Sequence, residues 1–218
     1  MPPYNQGTDT QAQRASHMLQ KLLPEYAVYA LEILERAGFE AWIVGGWVRD
    51  ALLGSATHDI DITTSAHWEQ TAETYRAAGY VVHETGTKHG TVTVVVNGHP
   101  LEITTYRTEG TYSDHRHPDE VCFVDSIDKD LARRDFTVNA MAFHPRRGLL
   151  DPYHGQHDLQ QRCIRAVGDA QSRFEEDALR VLRAIRFACK LGFSIEKNTA
   201  DALSASASRL AFVAQERI

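Results

Sequence analysis

Apolar positions change their period several times along this chain, and each change marks an element. From about residue 13 to Ala37 they recur at helical spacing: Leu19, Leu22 and Leu23, then Val28, Leu31, Ile33 and Leu34. Pro24 divides the run, which predicts two helices or one broken helix, and Gly38 suits a helix C-terminus. Ala41-Trp42-Ile43-Val44 reads as a short buried strand. After Gly45-Gly46 the pattern turns helical through Trp47, Val48, Leu52 and Leu53 and stops at Gly54. Asp59-Ile60-Asp61-Ile62-Thr63 alternates polar and apolar, the mark of a strand with two unlike faces. A helix is predicted over His67–Ala78 and a strand over Tyr80–His83. Thr91–Val96 and Pro100–Thr105, on either side of Asn97-Gly98, form a strong hairpin signal.

Residues 107–120 are polar and rich in turn formers, which predicts a mobile loop. Ser126–Ala132 reads as a short helix, and Thr137–Phe143 continues the ordered core. Beyond Asp151 the pattern changes: Ala170–Leu191 and Ser194–Arg209 read as helices, and no long strand follows. The expected organisation is α+β. Residues 1–12 are polar and expected to be disordered, 13–150 form a mixed α/β head, and 151–218 form an all-helical neck. No internal repeat or low-complexity tract is visible.

Composition narrows this picture. Hydrophobic residues make up 43% of the 218, enough for a real core. No apolar run reaches the roughly 18 residues of a membrane span, and the N-terminus lacks the apolar stretch of a signal peptide. A cytoplasmic protein without a membrane partner is expected. Cys122, Cys163 and Cys189 have neither disulfide nor metal-ligand spacing and read as small buried hydrophobes. The eleven histidines scatter, and His115 and His117 read as part of a solvated loop. The formal charge of −6 does not advertise nucleic-acid binding, but its distribution is uneven. Arg133, Arg134, Arg146, Arg147, Arg162, Arg165, Arg173, Arg180, Arg183 and Arg186 all fall in one stretch that could make a local positive surface.

Four features carry candidate chemistry. Gly45-Gly46-Trp47-Val48-Arg49-Asp50 runs from strand to turn to helix; it could let backbone amides approach a phosphate, or be a tight turn and nothing more. Arg49 could add charge there or form a buried ion pair with a carboxylate. Asp59 and Asp61 stand two apart on a strand and share a face, where two like charges repel unless a cation lies between them. Oxygen-only ligation of that kind suits Mg²⁺, although two acids on a solvent-facing edge strand would look the same. Glu102 on the hairpin could be a third carboxylate of a two-metal site or an ordinary outward-facing acid. In Arg133-Arg134-Asp135-Phe136-Thr137-Val138-Asn139-Ala140 the arginines suit triphosphate oxygens, Asp135 could accept from ribose hydroxyls, and Asn139 could hold a sugar or a loop. A helix-start ion pair would explain Arg134-Asp135 but not Asn139.

In this order the motifs resemble the tRNA nucleotidyltransferase and bacterial poly(A) polymerase family, within the polymerase β-like nucleotidyltransferase superfamily. Asp151-Pro152-Tyr153-His154-Gly155 with Asp158-Leu159 matches the family's next motif, and Glu176-Asp177-Ala178-Leu179-Arg180-Val181-Leu182-Arg183-Ala184-Ile185-Arg186-Phe187 its neck motif. The resemblance implies a nucleotidyltransferase head with a mixed or antiparallel sheet and flanking helices. It implies that Asp59 and Asp61 hold two catalytic Mg²⁺ ions, with Glu102 as the third acid. Gly45, Gly46 and Arg49 would contact the triphosphate; Arg134, Asp135 and Asn139 would bind phosphate or ribose, and Arg183 would bind the nucleotide. Asp177 and Arg180, three apart on one expected helix face, would read the base, the carboxylate accepting from an exocyclic amine and the guanidinium donating to a ring atom. Such a pair selects CTP and ATP without a nucleic-acid template; without the resemblance it would read as a surface ion pair.

Gly86-Thr87-Lys88-His89-Gly90-Thr91-Val92-Thr93-Val94, with Thr104–Gly110 and Tyr112-Ser113-Asp114, resembles the CCA-adding line acting on the tRNA 3′ end. The poly(A) polymerases tend to carry an arginine-rich segment at that place. The resemblance leaves CCA-, CC- and A-adding enzymes and the oligomeric state open. A poly(A) polymerase or a catalytically idle RNA-binding module are the other readings; a metal-dependent phosphohydrolase lacks a clustered His-Asp pair. The family continues into a longer helical body and tail that grip tRNA, whereas this chain stops at Gln215-Glu216-Arg217-Ile218. That departure implies a truncated chain with weak or missing tail-dependent tRNA binding.

Overall fold

The structure is a computed structural model and describes residues 6–55, 59–109 and 121–212. Helices α1 (Gln6–Leu22) and α2 (Glu25–Arg36) lead into β1 (Ala41–Val44), α3 (Gly46–Leu52), β2 (Asp61–Thr64) and α4 (Trp68–Ala77). Strands β3 (Val81–His83), β4 (Thr91–Val96), β5 (His99–Thr105), β6 (Arg107–Glu109) and β7 (Val121–Phe123) follow. Then come α5 (Ile127–Ala132), β8 (Ala142–His144), β9 (Gly148–Leu150), α6 (Gly155–Gln160) and β10 (Cys163–Ile164). The last elements are α7 (Ala170–Glu176), α8 (Leu179–Leu191), β11 (Ser194–Ile195) and α9 (Lys197–Ser206).

The described residues fall into two compact units. One holds the chain up to Tyr106 together with Met141–Asp151; the other holds Arg107–Ala140 and the chain from Pro152 onward. These are units of packing, and the chain passes between them at 106/107, 140/141 and 151/152.

The first unit is a seven-stranded sheet in the order β3-β4-β5-β2-β1-β8-β9. It is mixed: β2 and β5 run parallel, and every other neighbouring pair is antiparallel. Its register explains the period-2 pattern of the sequence. Ile43, Ile62, Ile103 and Val92 are successive cross-strand partners, and all four are buried. Each such side chain removed from water contributes about 1.5–3 kcal/mol. Helices α2 and α4 cover this sheet, with Leu31, Leu34 and Tyr75 buried. The Tyr75 hydroxyl donates to the Ala30 carbonyl at 2.8 Å, so the apolar contact between the two helices is also fixed by a hydrogen bond. Asn97 and Gly98 both have positive φ (51° and 82°), the two-residue hairpin turn whose twist matches the flanking strands.

The second unit is mostly helical. Phe136, Phe174, Val181 and Ala184 are buried in it, and the Phe136 and Phe187 rings meet edge-to-face at 5.9 Å. Val181, Ala184 and Phe187 form the buried stripe of α8 at the spacing of a helix face. The segment expected to be all-helical also contains a parallel pair, β10 with β11, of two residues each. β6 and β7 form a separate antiparallel pair, so Arg107–Glu109 begin a ribbon rather than a loop; the rest of the expected mobile loop lies outside the described residues.

Two further expectations change. α1 starts at Gln6, so residues 6–12, expected to be disordered, are helical. Gln11, Ala12 and Gln13 are good helix formers, and they extend a helix anchored by buried Ala15 and Leu19. The cysteines are not buried hydrophobes: Cys122 and Cys189 are exposed and Cys163 is intermediate. Among the described residues no helix is long and apolar enough to cross a membrane.

Candidate functional site

The glycine turn follows directly from β1. Gly45 adopts φ 70° and ψ −127°, a conformation closed to other residues, and lets the chain swing from strand into α3. Its N–H meets the Met141 carbonyl at 3.4 Å, so this amide is engaged within the unit. Gly46 opens α3, and a Cβ there would lie 3.6 Å from an Arg49 guanidinium nitrogen, an ordinary contact. That distance places the guanidinium over the start of the helix. Of the two alternatives for Arg49, the structure has the ion pair. Nε and Nη2 fork onto the Asp50 carboxylate at 2.6 and 2.9 Å, with Arg49 buried.

The acidic residues come next. Ile60 and Ile62 are buried while Asp59 and Asp61 are exposed, so both carboxylates stand on the solvent side. Asp61 opens β2; Asp59 precedes the strand, which begins two residues later than the sequence pattern suggests. Asp61 is the cross-strand partner of Glu102 in the parallel β2–β5 pair. Neighbouring strands lie about 4.8 Å apart and partners share a face. The polar row continues through Thr93 to His83, one step from the buried isoleucine row. Thus residues 41 apart in sequence present two carboxylates side by side. Among the described residues no three His, Cys, Asp or Glu side chains form a ready-made metal cluster.

The second unit treats its acids differently. Asp130, which the sequence pattern did not single out, is fully buried. It accepts from Arg133 (Nε 3.0 Å and Nη2 2.9 Å) and Arg134 (Nη2 3.1 Å), and from the Arg107 backbone at 3.3 Å. Burial pushes its carboxyl upward, but Arg134 and Arg133 outweigh this and hold it below the usual range. Arg134 therefore pairs with Asp130 and not with Asp135. The spacing of three and four residues behind the arginines was the legible signal.

Asp135 is also buried and accepts four hydrogen bonds. Oδ1 receives the Phe136 amide (2.8 Å) and the Asn139 side chain (3.1 Å); Oδ2 receives Arg183 Nε (2.8 Å) and Nη2 (2.5 Å). Burial again pushes the carboxyl up, and Arg183 with these donors more than reverses it. Asp158, from the motif that follows, is buried and accepts from Thr137 at 2.7 Å and from Arg165 at 3.1 Å.

Asp177 and Arg180 do not share a helix face. Asp177 has extended backbone (φ −143°, ψ 108°) and separates α7 from α8, where a single helix was expected. Its Oδ1 accepts the Leu179 amide at 2.9 Å, a local bond that starts α8. Arg180 is buried; Nη1 meets Glu176 at 2.6 Å and Nη2 the Arg133 carbonyl at 3.1 Å.

The arginine-rich stretch is accordingly a pairing network more than an open positive surface. Beyond the pairs above, Arg146 and Arg147 both bind Glu35 in the first unit, Arg165 also reaches Glu196 and Arg173 reaches Glu176 in the second. Arg186 lies over the Phe187 ring, 5.3 Å from its centroid.

A mixed sheet with two carboxylates in register beside a glycine-led strand–helix turn is a nucleotidyltransferase-type fold. The chain belongs to the poly A polymerase head domain family, which matches residues 41–165, more than half of its length. It is similar to a CCA-adding enzyme of Lactobacillus delbrueckii subsp. bulgaricus, 49% identical over 192 residues covering 88% of this chain and 48% of that relative. Among solved structures, the Bacillus stearothermophilus CCA-adding enzyme in complex with CTP matches with TM-score 0.80 and 39% identity, covering 89% of this chain and 47% of the other. The Thermotoga maritima CCA-adding enzyme complexed with tRNA matches with TM-score 0.73 and 28% identity, over 93% and 48% of the two chains. The chain spans about half the length of the curated relatives it matches.

Proposed function

We propose that this chain transfers nucleotides without a template: the 3′-hydroxyl of a tRNA attacks the α-phosphate of CTP or ATP, and pyrophosphate leaves. The observation that carries this reading is the parallel register of Asp61 with Glu102, with Asp59 exposed two residues before Asp61. The names of the relatives support the substrate class: CCA addition, CTP and tRNA. The head is assigned to residues 13–150 and the neck to 151–218, with a cytoplasmic location.

The donor set fits a divalent cation. Exposed oxygen ligands from one or two carboxylates, completed by substrate phosphates, are what Mg²⁺ takes. When bound, two such ions would lower the cost of ionising the attacking hydroxyl and neutralise charge on the leaving phosphates. Asp59, Asp61 and Glu102 would hold them, which relieves the repulsion between neighbouring carboxylates. Gly45 and Gly46 would give the triphosphate a close approach, with Arg49 beside them. Arg134, Asp135, Asn139 and Arg183 form the nucleotide-holding set of the second unit. Asp177, whose Oδ1 is used locally, would read the exocyclic amine of C or A through Oδ2, with Arg180 donating to the ring. Catalysis on this scheme is positioning and electrostatic stabilisation.

The test supplies tRNA transcripts ending before CCA, after C and after CC, with Mg²⁺ and each labelled nucleotide in turn. Incorporation of C and then A, ending at CCA and lost in Asp61→Ala, is expected. Long A tails on any RNA would make this a poly(A) polymerase instead. No incorporation by the 218-residue chain, with nucleotide binding also absent, would contradict the reading.

A further inference from the structure

Helices α2 and α4 leave a cleft of about 670 Å³ between them, all of it within the first unit. That is the size of a small-molecule site, about 300–1,000 Å³. The face of the sheet that these helices cover carries Ile62, Val92 and Ile103, so the cleft lies behind the sheet from Asp61 and Glu102. Three aromatic side chains line it: Tyr29 from α2, Phe39 just after α2 and Tyr80 just after α4. Tyr29 is 45% exposed, so its ring is open to a ligand.

The charges at the cleft do not balance. Arg36 lines it, but its Nη2 donates to Glu32 at 2.7 Å. Glu73 lines it from α4 and, among the described residues, has no hydrogen-bond or ion-pair partner. Arg76, one turn further along α4, donates to Glu84 at 2.6 Å instead. Gln70 uses its side-chain oxygen for the His67 amide at 2.9 Å. The cleft also takes in the C-terminal ends of both helices, at Ala37 and Ala77, against one N-terminal end, at Gln70. Helix C-termini are partly negative. The result is a negative cleft with aromatic walls.

We propose that this cleft binds an organic cation, an ammonium group on an apolar body. The ammonium donates to the Glu73 carboxylate, and the body packs against Tyr29, Phe39 and Tyr80. An ammonium beside aromatic rings is also attracted by the ring quadrupole. An anion would meet an unpaired carboxylate, and a neutral apolar ligand would desolvate Glu73 without giving it a partner. The inference does not rest on the nucleotide reading, because no residue of the cleft belongs to the nucleotide site.

The probe is 2-phenylethylammonium, titrated into the whole chain at neutral pH and followed by NMR, with its neutral N-acetyl derivative as the control. The wild type should bind the ammonium, and the acetyl derivative at least about fivefold more weakly. Glu73→Gln replaces an exposed, unpaired side chain with one of the same size, so the variant should fold. It should weaken the ammonium by about 5- to 10-fold, between the effects of an exposed ion pair and a charge-assisted hydrogen bond, and leave the acetyl derivative unchanged. Tyr29→Ala should weaken both ligands, since both lose a wall of the cleft. Asp61→Asn should bind the ammonium as the wild type does. Equal binding of the ammonium and its acetyl derivative, wild-type affinity in Glu73→Gln, or loss of binding in Asp61→Asn would overturn the proposal. So would the absence of ammonium binding by the wild type. Nucleotide transfer by Glu73→Gln should match the wild type, so none of these outcomes bears on the nucleotide reading.

Discussion

Asp61 of the first unit and Asp130 and Asp135 of the second use the same side chain in opposite ways. In the second unit Asp130 and Asp135 are buried, each is matched to arginine, and each carboxyl is held below its ordinary range. In the first unit Asp61 is exposed on a strand, directly across from Glu102. Buried, paired acids are costly to disturb and hold other groups in place. Exposed acids set directly across from one another repel. Residue identity alone does not separate the two uses. Burial and register do.

The contrast breaks first at Asp61. Asp61→Ala should lower incorporation by about a thousand-fold or more, since several kcal/mol of charge stabilisation are lost with a cation site. Its thermal midpoint should change little, because the side chain is exposed. A comparable loss of stability would show that Asp61 is structural, like its counterparts in the second unit. Asp130→Ala should do the reverse and destabilise by about 3–5 kcal/mol, because it strands the paired Arg133 and Arg134. A denaturant midpoint unchanged from wild type would contradict the hub assigned to Asp130.

Acid should separate the units more gently. For Asp130 and Asp135 the folded pKa lies below the unfolded one. Their stabilisation is therefore complete above an unfolded carboxyl pKa of about 3.9 and is lost as pH falls through the folded value. The melting temperature should hold down to about pH 5 and drop below about pH 4, with a shallower drop in Asp135→Asn. An identical acid slope in that variant would assign the loss to other groups. The smallest effect is the most specific: Glu102→Gln removes a like-charge cross-strand pair and should raise stability of the metal-free protein by about 0.2–1 kcal/mol. A decrease would mean that Glu102 has a favourable partner that outweighs its repulsion with Asp61.

Much of the sheet was legible because its signals are local. The Asn97-Gly98 turn, the buried run Ala41–Val44 and the Asp59–Thr63 alternation depend on neighbours within a few residues, and each marks a strand or turn of the structure. The pairing of Asp61 with Glu102 was suggested only as two acids on two strands; the parallel register that joins them is set by tertiary packing. The second unit was harder to read. Periodicity carried a helix through Asp177, but its side chain takes the Leu179 amide and breaks the run. Arg134 sits beside Asp135 in sequence, yet the helical spacing back to Asp130 decides its partner. The Glu35 contacts of Arg146 and Arg147 span more than a hundred residues and left no trace in the local pattern.

The most direct test of the central claim, that Asp61 and Glu102 in register make a cation site, is Mn²⁺ binding followed by electron paramagnetic resonance. It would be measured on the whole chain in the presence of CTP, for wild type, Asp61→Asn and Glu102→Gln. The account predicts bound Mn²⁺ in the wild type, loss of that signal in Asp61→Asn and weakening in Glu102→Gln, with all three proteins folded. Equal Mn²⁺ binding by all three would contradict it.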